Sequence, residues 1–181
     1  MTTNQCKKIK VSCAQGFTLP ETLLAIAILM IAIVGPISLI GDAIHRSYYA
    51  KDQVIAINLA QEGIEAVRKV RDSNLLALLA WDASLGVGDY TIDTGSLAGS
   101  SAAMVIPCGT CLGLPQPVVI DALGLYRQNV VGGSPTVFSR IVSISTVPLN
   151  LNERKVTSLV TWRTGGETGT ISVSEYLFKT L

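Results

Sequence analysis

Between Phe17 and Ile40 the chain holds 24 residues whose single ionisable side chain is Glu21, and the last 18 of them, Leu23 to Ile40, carry no charge at all. At about 1.5 Å rise per residue such a run makes a helix of roughly 36 Å, enough to cross a hydrocarbon core of about 30 Å. Lys7, Lys8 and Lys10 precede it with no acidic residue among them, whereas the flank GDAIHRSYYAKDQ after it mixes both signs. The positive-inside rule therefore predicts a single-pass membrane protein with its N-terminus cytoplasmic and the rest across the membrane.

The remainder is of one-domain size, the whole chain being 181 residues. Its 14 basic and 13 acidic residues give no charge excess of the kind that draws a protein to nucleic acid, so no nucleic-acid partner is expected. A removable secretory signal fits poorly. The apolar run outlasts the usual h-region of about 7–15 residues, and no clean small-x-small cleavage site follows it. An uncleaved signal anchor fits the run, but neither reading accounts for Glu21. A carboxylate within an apolar span costs on the order of 2.5–3.5 kcal/mol at the helix centre, less near an end, so it is expected to have a partner. As local chemistry, Thr18-Leu19-Pro20-Glu21 matches the S/T-x-x-E capping box, with Thr18 as N-cap and Pro20 in the first turn, where its missing N–H is no loss.

A basic leader, then Gly16, an aromatic residue and Thr-Leu-Pro-Glu opening a long apolar helix is a more specific pattern than a cap. GFTLPE resembles the cleavage and methylation motif of type IV prepilins and of the pseudopilins of type II secretion. The resemblance implies that a prepilin peptidase/methyltransferase cuts after Gly16 on the cytoplasmic face, removing residues 1–16, and N-methylates the new terminus at Phe17. It also implies that Glu21 serves filament assembly, its carboxylate meeting the α-ammonium that cleavage creates on a neighbouring subunit. Two charges about 4 Å apart attract by roughly 4 kcal/mol at an effective dielectric of 20. Pro20 stands where the family usually has an aliphatic residue, a departure shared by minor pilins and pseudopilins. The implied function is thus a minor pilin, with a pseudopilin of a type II secretion or DNA-uptake machine as the alternative. Its partners would be other pilin or pseudopilin subunits, and the membrane before assembly. The mature protein would end in an extracellular or periplasmic filament.

Past Ile40 helical periodicity continues through Ile44, Tyr48, Ile55, Leu59, Ala66 and Val70, with charged residues between them, which predicts one helix to about Leu79. Glu65 and Lys69 are spaced for an i, i+4 pair. The stretch Asn58 to Asn74 resembles, more weakly than the leader, the second half of the long helix of minor pilins and pseudopilins. Gly35-Pro36 inside the helix predicts a kink or a short melted stretch around Ala32 to Pro36. Later the period changes. A short strand is expected at Asp89 to Asp93, and three antiparallel strands at Phe138 to Val147, Lys155 to Arg163 and Thr168 to Leu177, separated by turn-rich VPLNLNE and TGGE. Thr94 to Pro117 reads as disordered. The expected fold is α+β and pilin-like, a long N-terminal helix laid on a small antiparallel sheet. Its divisions are a leader at 1–16, a membrane and filament-core helix at 17–40, its amphipathic continuation at 41–80 and a β-rich head at 81–181.

No enzyme is expected. The lone histidine, His45, reads as solvated, and there is no phosphate loop, zincin motif or paired-carboxylate signature. Asp89, Asp93 and Asp121 offer oxygens for calcium, as in the heads of major pseudopilins, but fit no loop template. No cofactor or metal is therefore assigned. Trp81 and Trp162 read as core. Cys6 and Cys13 would leave with the leader, so the mature chain would keep Cys108 and Cys111 in PCGTC. Zinc would need two further ligands and redox catalysis a βαβ context, so a small disulfide in an oxidising compartment is the expectation.

Overall fold

The computed structural model describes residues 16–94 and 104–179. The leader as far as residue 15, including Cys6 and Cys13, and the middle of the loop expected at Thr94 to Pro117 lie outside the described residues. One helix, α1 (Leu19–Leu76), is followed by β1 (Gly88–Ile92), β2 (Val105–Pro107), β3 (Gln116–Ile120), β4 (Tyr126–Arg127), β5 (Ser134–Val147), β6 (Asn150–Thr164) and β7 (Glu167–Phe178). The chain forms two compact units, one ending at Ile44 and one running from His45 to Leu181.

In the first unit every described side chain from Leu19 to Ile37 is exposed. An 18-residue window there has a mean hydropathy of 2.8 and no buried share. The helix is unbroken at Pro36, so the expected melted stretch is not found. A proline's Cδ clashes with the backbone N–H and Cβ of the residue before it, and here that residue is Gly35, which has no Cβ.

In the second unit α1 lies across an antiparallel sheet, the α+β arrangement of a pilin-like fold. The buried positions of α1 start later than the apolar spacing suggests. Ile44 and Tyr48 are 52% and 60% exposed, and the first fully buried residue is Ala56. From there Leu59, Ala60, Gly63, Ile64, Val67, Val70 and Asn74 line the covered side at helical spacing. Glu65 pairs with Arg68 and not with Lys69, and the same guanidinium reaches the Glu175 carboxylate on β7 at 2.5 and 2.6 Å. That carboxylate is the chief reason the Arg68 pKa is raised.

The helix stops at Leu76, three residues before the expected end, because a Schellman motif forms. Leu79 N–H donates to the Asn74 carbonyl at 2.9 Å and Leu78 N–H to that of Leu75 at 3.1 Å, with Leu78 in the left-handed region at φ 58°. The Asn74 side chain then donates to the Trp81 and Ala83 carbonyls, drawing the following turn back onto the helix end.

The three long strands expected from the sequence are β5, β6 and β7, each running beyond its expected bounds. β5 and β6 pair over Phe138↔Trp162 to Val147↔Asn150, and β6 and β7 over Glu153↔Phe178 to Thr164↔Glu167 without a shift in register. The other side of β5 carries β1 and β3 in tandem, edged by the short β2 and β4. The disordered reading of Thr94 to Pro117 is corrected in its described part, where β2 pairs with β1 and Gln116 with Arg140 of β5. Short strands lacking alternation give no period signal, yet a long neighbour supplies their hydrogen bonds.

Phe138, Val142 and Ile144 of β5 and Val156, Val160 and Trp162 of β6 form the core with α1. Trp81 and Trp162 are both buried, the first under Arg154 and the second beside Tyr49. At the closest approach of helix and sheet, a Cβ on Gly63 would fall 2.7 Å from Ser158 Oγ and 2.9 Å from Val142 Cγ2. We expect Gly63→Val to lower stability by about 1–3 kcal/mol through overpacking, read as a fall in the thermal midpoint of purified protein. An unchanged midpoint would show that the contact yields freely.

Candidate functional site

The residues singled out at the N-terminus form a simple local structure. Gly16, Phe17 and Thr18 precede the helix without regular structure, and Phe17 is 79% exposed. Thr18 is the N-cap residue, its carbonyl accepting the N–H of Glu21 at 3.0 Å and of Thr22 at 3.1 Å. Glu21 turns back so that Oε2 lies 3.5 Å from the Thr18 N–H, the reciprocal half of the capping box. That contact is long. No cation pairs with the exposed Glu21 carboxylate among the described residues.

Among the described residues no atom stands within 4 Å of where a Cβ at Gly16 would sit.

Several of the second unit's polar groups are engaged with one another. Arg140 on β5 has no solvent exposure and donates to Glu62 Oε2 at 2.7 Å, to the Leu59 and Ile92 carbonyls at 3.0 Å each, and to Gln128 Oε1 at 3.2 Å. Burial pulls its pKa down, and the Glu62 charge opposes that. Arg127 donates to both oxygens of Asp93 at 2.7 and 3.0 Å and to Asp121 at 3.4 Å. Asp121 in turn accepts the N–H groups of Leu123 and Leu125, and the Leu125 bond is the leading reason its pKa is lowered. Asp89 is used elsewhere, on the Gly113 N–H and the Ser143 hydroxyl, each at 2.6 Å. The three aspartates offered for calcium therefore do not converge, and no group of three or more metal-ligating side chains occurs among the described residues.

His45 is half-buried, not solvated. Its ring covers Gly165 in the β6–β7 turn, where a Cβ would fall 2.2 Å from Nε2 and φ is +57°. Cys108 and Cys111 are bonded to each other with Cα atoms 5.5 Å apart, the Cys108 N–H donating to the Asp89 carbonyl at 2.8 Å. Sequence reasoning missed Arg140, Glu62 and Gln128. The strand parity that placed Phe138, Val142 and Ile144 inward also points Arg140 inward, so one signal was available.

A profile described as the prokaryotic N-terminal methylation motif matches residues 12–35. This is the leader signature of the type IV pilin family, and it coincides with Gly16, Phe17, Glu21 and most of the exposed apolar helix. No curated protein and no solved structure shows significant similarity to the chain.

The bond between Cys108 and Cys111 closes a loop so short that its entropic contribution falls below the roughly 3 kcal/mol expected for 15 residues. Replacing both with serine should therefore leave the helix-on-sheet core folded and speed proteolysis between β2 and β3. Limited proteolysis mapped by mass spectrometry, with alkylation of native material, checks this. Two freely alkylated thiols in the untreated protein would refute the bond.

Proposed function

We propose that this pilin-like, membrane-anchored chain is a minor subunit of a type IV pilus-like filament, inserted with its N-terminus cytoplasmic, cleaved after Gly16 and methylated at Phe17. The observation that carries the reading is a methylation motif seated on an exposed apolar helix whose one carboxylate, Glu21, is the fifth residue past the proposed cut. The motif suits a structural subunit better than an enzyme.

The physical logic runs through the exposed helix. So much bare apolar surface is stable only in a bilayer or against other apolar helices, and cleavage leaves it attached to the second unit. Lys7, Lys8 and Lys10 hold the leader on the cytoplasmic side, which puts Gly16 where a cytoplasmic-face peptidase can reach it. Removing the leader exchanges those lysines for a single α-ammonium on Phe17. In a stagger of parallel helices that ammonium meets the Glu21 carboxylate of a neighbour, and where water is scarce a register that leaves either charge alone is disfavoured. His45 and the rest of the second unit would then stand on the far side of the membrane.

The intact mass of protein recovered from membranes or sheared filaments should correspond to a chain that starts at Phe17 and carries one methyl group. A full-length chain in assembled filaments would overturn the reading.

Glu21→Ala should leave insertion and cleavage intact and reduce incorporation into filaments, because it deletes a charge partner and no apolar contact. Comparing sheared fractions of variant and parent tests this. Equal incorporation would reduce Glu21 to a helix cap.

A further inference from the structure

The Cys108–Cys111 bond lies outside the core. Neither residue belongs to the apolar clusters that join α1 to β5 and β6, and the two are only three apart in sequence, so the bond restrains little of the unfolded chain. The turn has other holds. The Asp89 carbonyl accepts the Cys108 N–H at 2.8 Å, carrying the β1–β2 ladder one residue further, and the Asp89 carboxylate accepts the Gly113 N–H and the Ser143 hydroxyl at 2.6 Å each. The Cys111 carbonyl accepts the Leu114 N–H at 2.9 Å. With the bond open, these contacts keep the two sulfurs near each other, so closure is a unimolecular step.

The two cysteines differ in access. Cys108 is half-buried between the exposed Pro107 and Gly109, whereas Cys111 is 1% exposed. Thiol–disulfide exchange needs a thiolate in line with the bond it breaks, so its course depends on which sulfur can be reached. In this turn Cys108 offers that approach and Cys111 does not. The pair also lacks what makes a Cys-x-x-Cys catalytic. Its residues do not open a helix, the segment from Pro107 to Ile120 carries no cation, and the charged side chain bonded to the turn is an acid, Asp89. Such a pair receives exchange from a partner and does not drive it.

We propose that Cys108 is a thiol-modification site: an external dithiol opens the bond by attacking Cys108 Sγ and not Cys111 Sγ, and the β2–β3 turn is released while the helix-on-sheet core stays folded. The partner's thiolate forms a new S–S bond to Cys108, the Cys108–Cys111 bond breaks, and Cys111 Sγ leaves with the electron pair and takes up a proton. The partner's second thiolate then attacks its own sulfur in the mixed disulfide, and Cys108 leaves as a thiol. Two electrons pass from the dithiol to the bond, and the partner departs as a disulfide. Run backwards, the same path closes the turn, with Cys108 joined first and Cys111 resolving the mixed disulfide. This exchange goes beyond the filament reading and does not depend on it.

The test uses the full chain in detergent, with peptide mapping to keep Cys6 and Cys13 apart from the turn. Oxidised protein is treated with reduced glutathione, a monothiol probe that halts at the mixed disulfide, then quenched in acid, and mass spectrometry locates the adduct. It should sit on Cys108. An adduct on Cys111, on both equally, or no opening short of global unfolding overturns the proposal. Rates give a second reading. With oxidised glutathione, Cys111→Ser, which leaves Cys108, should be modified about tenfold faster than Cys108→Ser, which leaves Cys111, and the two rates should converge in urea. Equal rates in the native protein overturn the direction of attack. Reduction by dithiothreitol should bring new proteolytic cuts between β2 and β3 while the core still melts cooperatively. Loss of the whole sheet on reduction would make the bond a structural staple and no exchange site.

Discussion

One buried cation, the guanidinium of Arg140, fixes how the helix, the sheet and the β3–β4 region come together. Its four hydrogen bonds reach α1 through the Leu59 carbonyl and Glu62, β1 through the Ile92 carbonyl, and Gln128 just past β4. Gln128 completes the set by accepting the Ile92 N–H and donating to the Gln116 and Arg140 carbonyls, so its own amide is satisfied. Apolar contacts tolerate small slides of helix over sheet, whereas a guanidinium with fixed donor directions does not. Arg140 is fully buried and Glu62 only partly so, and loss of the Glu62 carboxylate would leave the guanidinium charge without its counter-ion. Register and packing angle are therefore set by polar geometry inside a largely apolar core.

Outside that core the rest of α1 obeys a different rule. In the second unit the helix is stabilised by what it covers, from Ala56 to Asn74. In the first it covers nothing among the described residues, and its apolar side chains stand exposed. The helix runs from Leu19 to Leu76 without a break at Gly35 and Pro36, so one element belongs to both units.

The sequence was most legible where a period or a motif runs long. The apolar run, the leader motif and the three long strands all rest on many residues agreeing, and each is present. Legibility failed where a single contact decides. The stripe along α1 began at Ala56 and not at Ile44 because burial depends on where the sheet ends. Glu65 chose Arg68 over Lys69 because Glu175, distant in the chain, had already positioned that guanidinium. The strands β2 to β4 are too short to show alternation, and His45 gave no hint of the Gly165 backbone waiting across the β6–β7 turn.

The open side of the sheet has a consequence of its own. β7 pairs along its full length with β6 and with nothing on its other side among the described residues, and it contains no proline and no bulge. Between Glu167 and Glu175 runs TGTISVS, an uncharged stretch with every second backbone N–H and C=O turned outward. Such an edge templates pairing with any extended chain it meets, and the opposite edge, broken into the short β2 and β4, does not. Glu167, Glu175 and Lys179 act as gatekeepers at its ends. The open edge is thus guarded by two carboxylates, Glu167 and Glu175, one at each end of seven neutral residues.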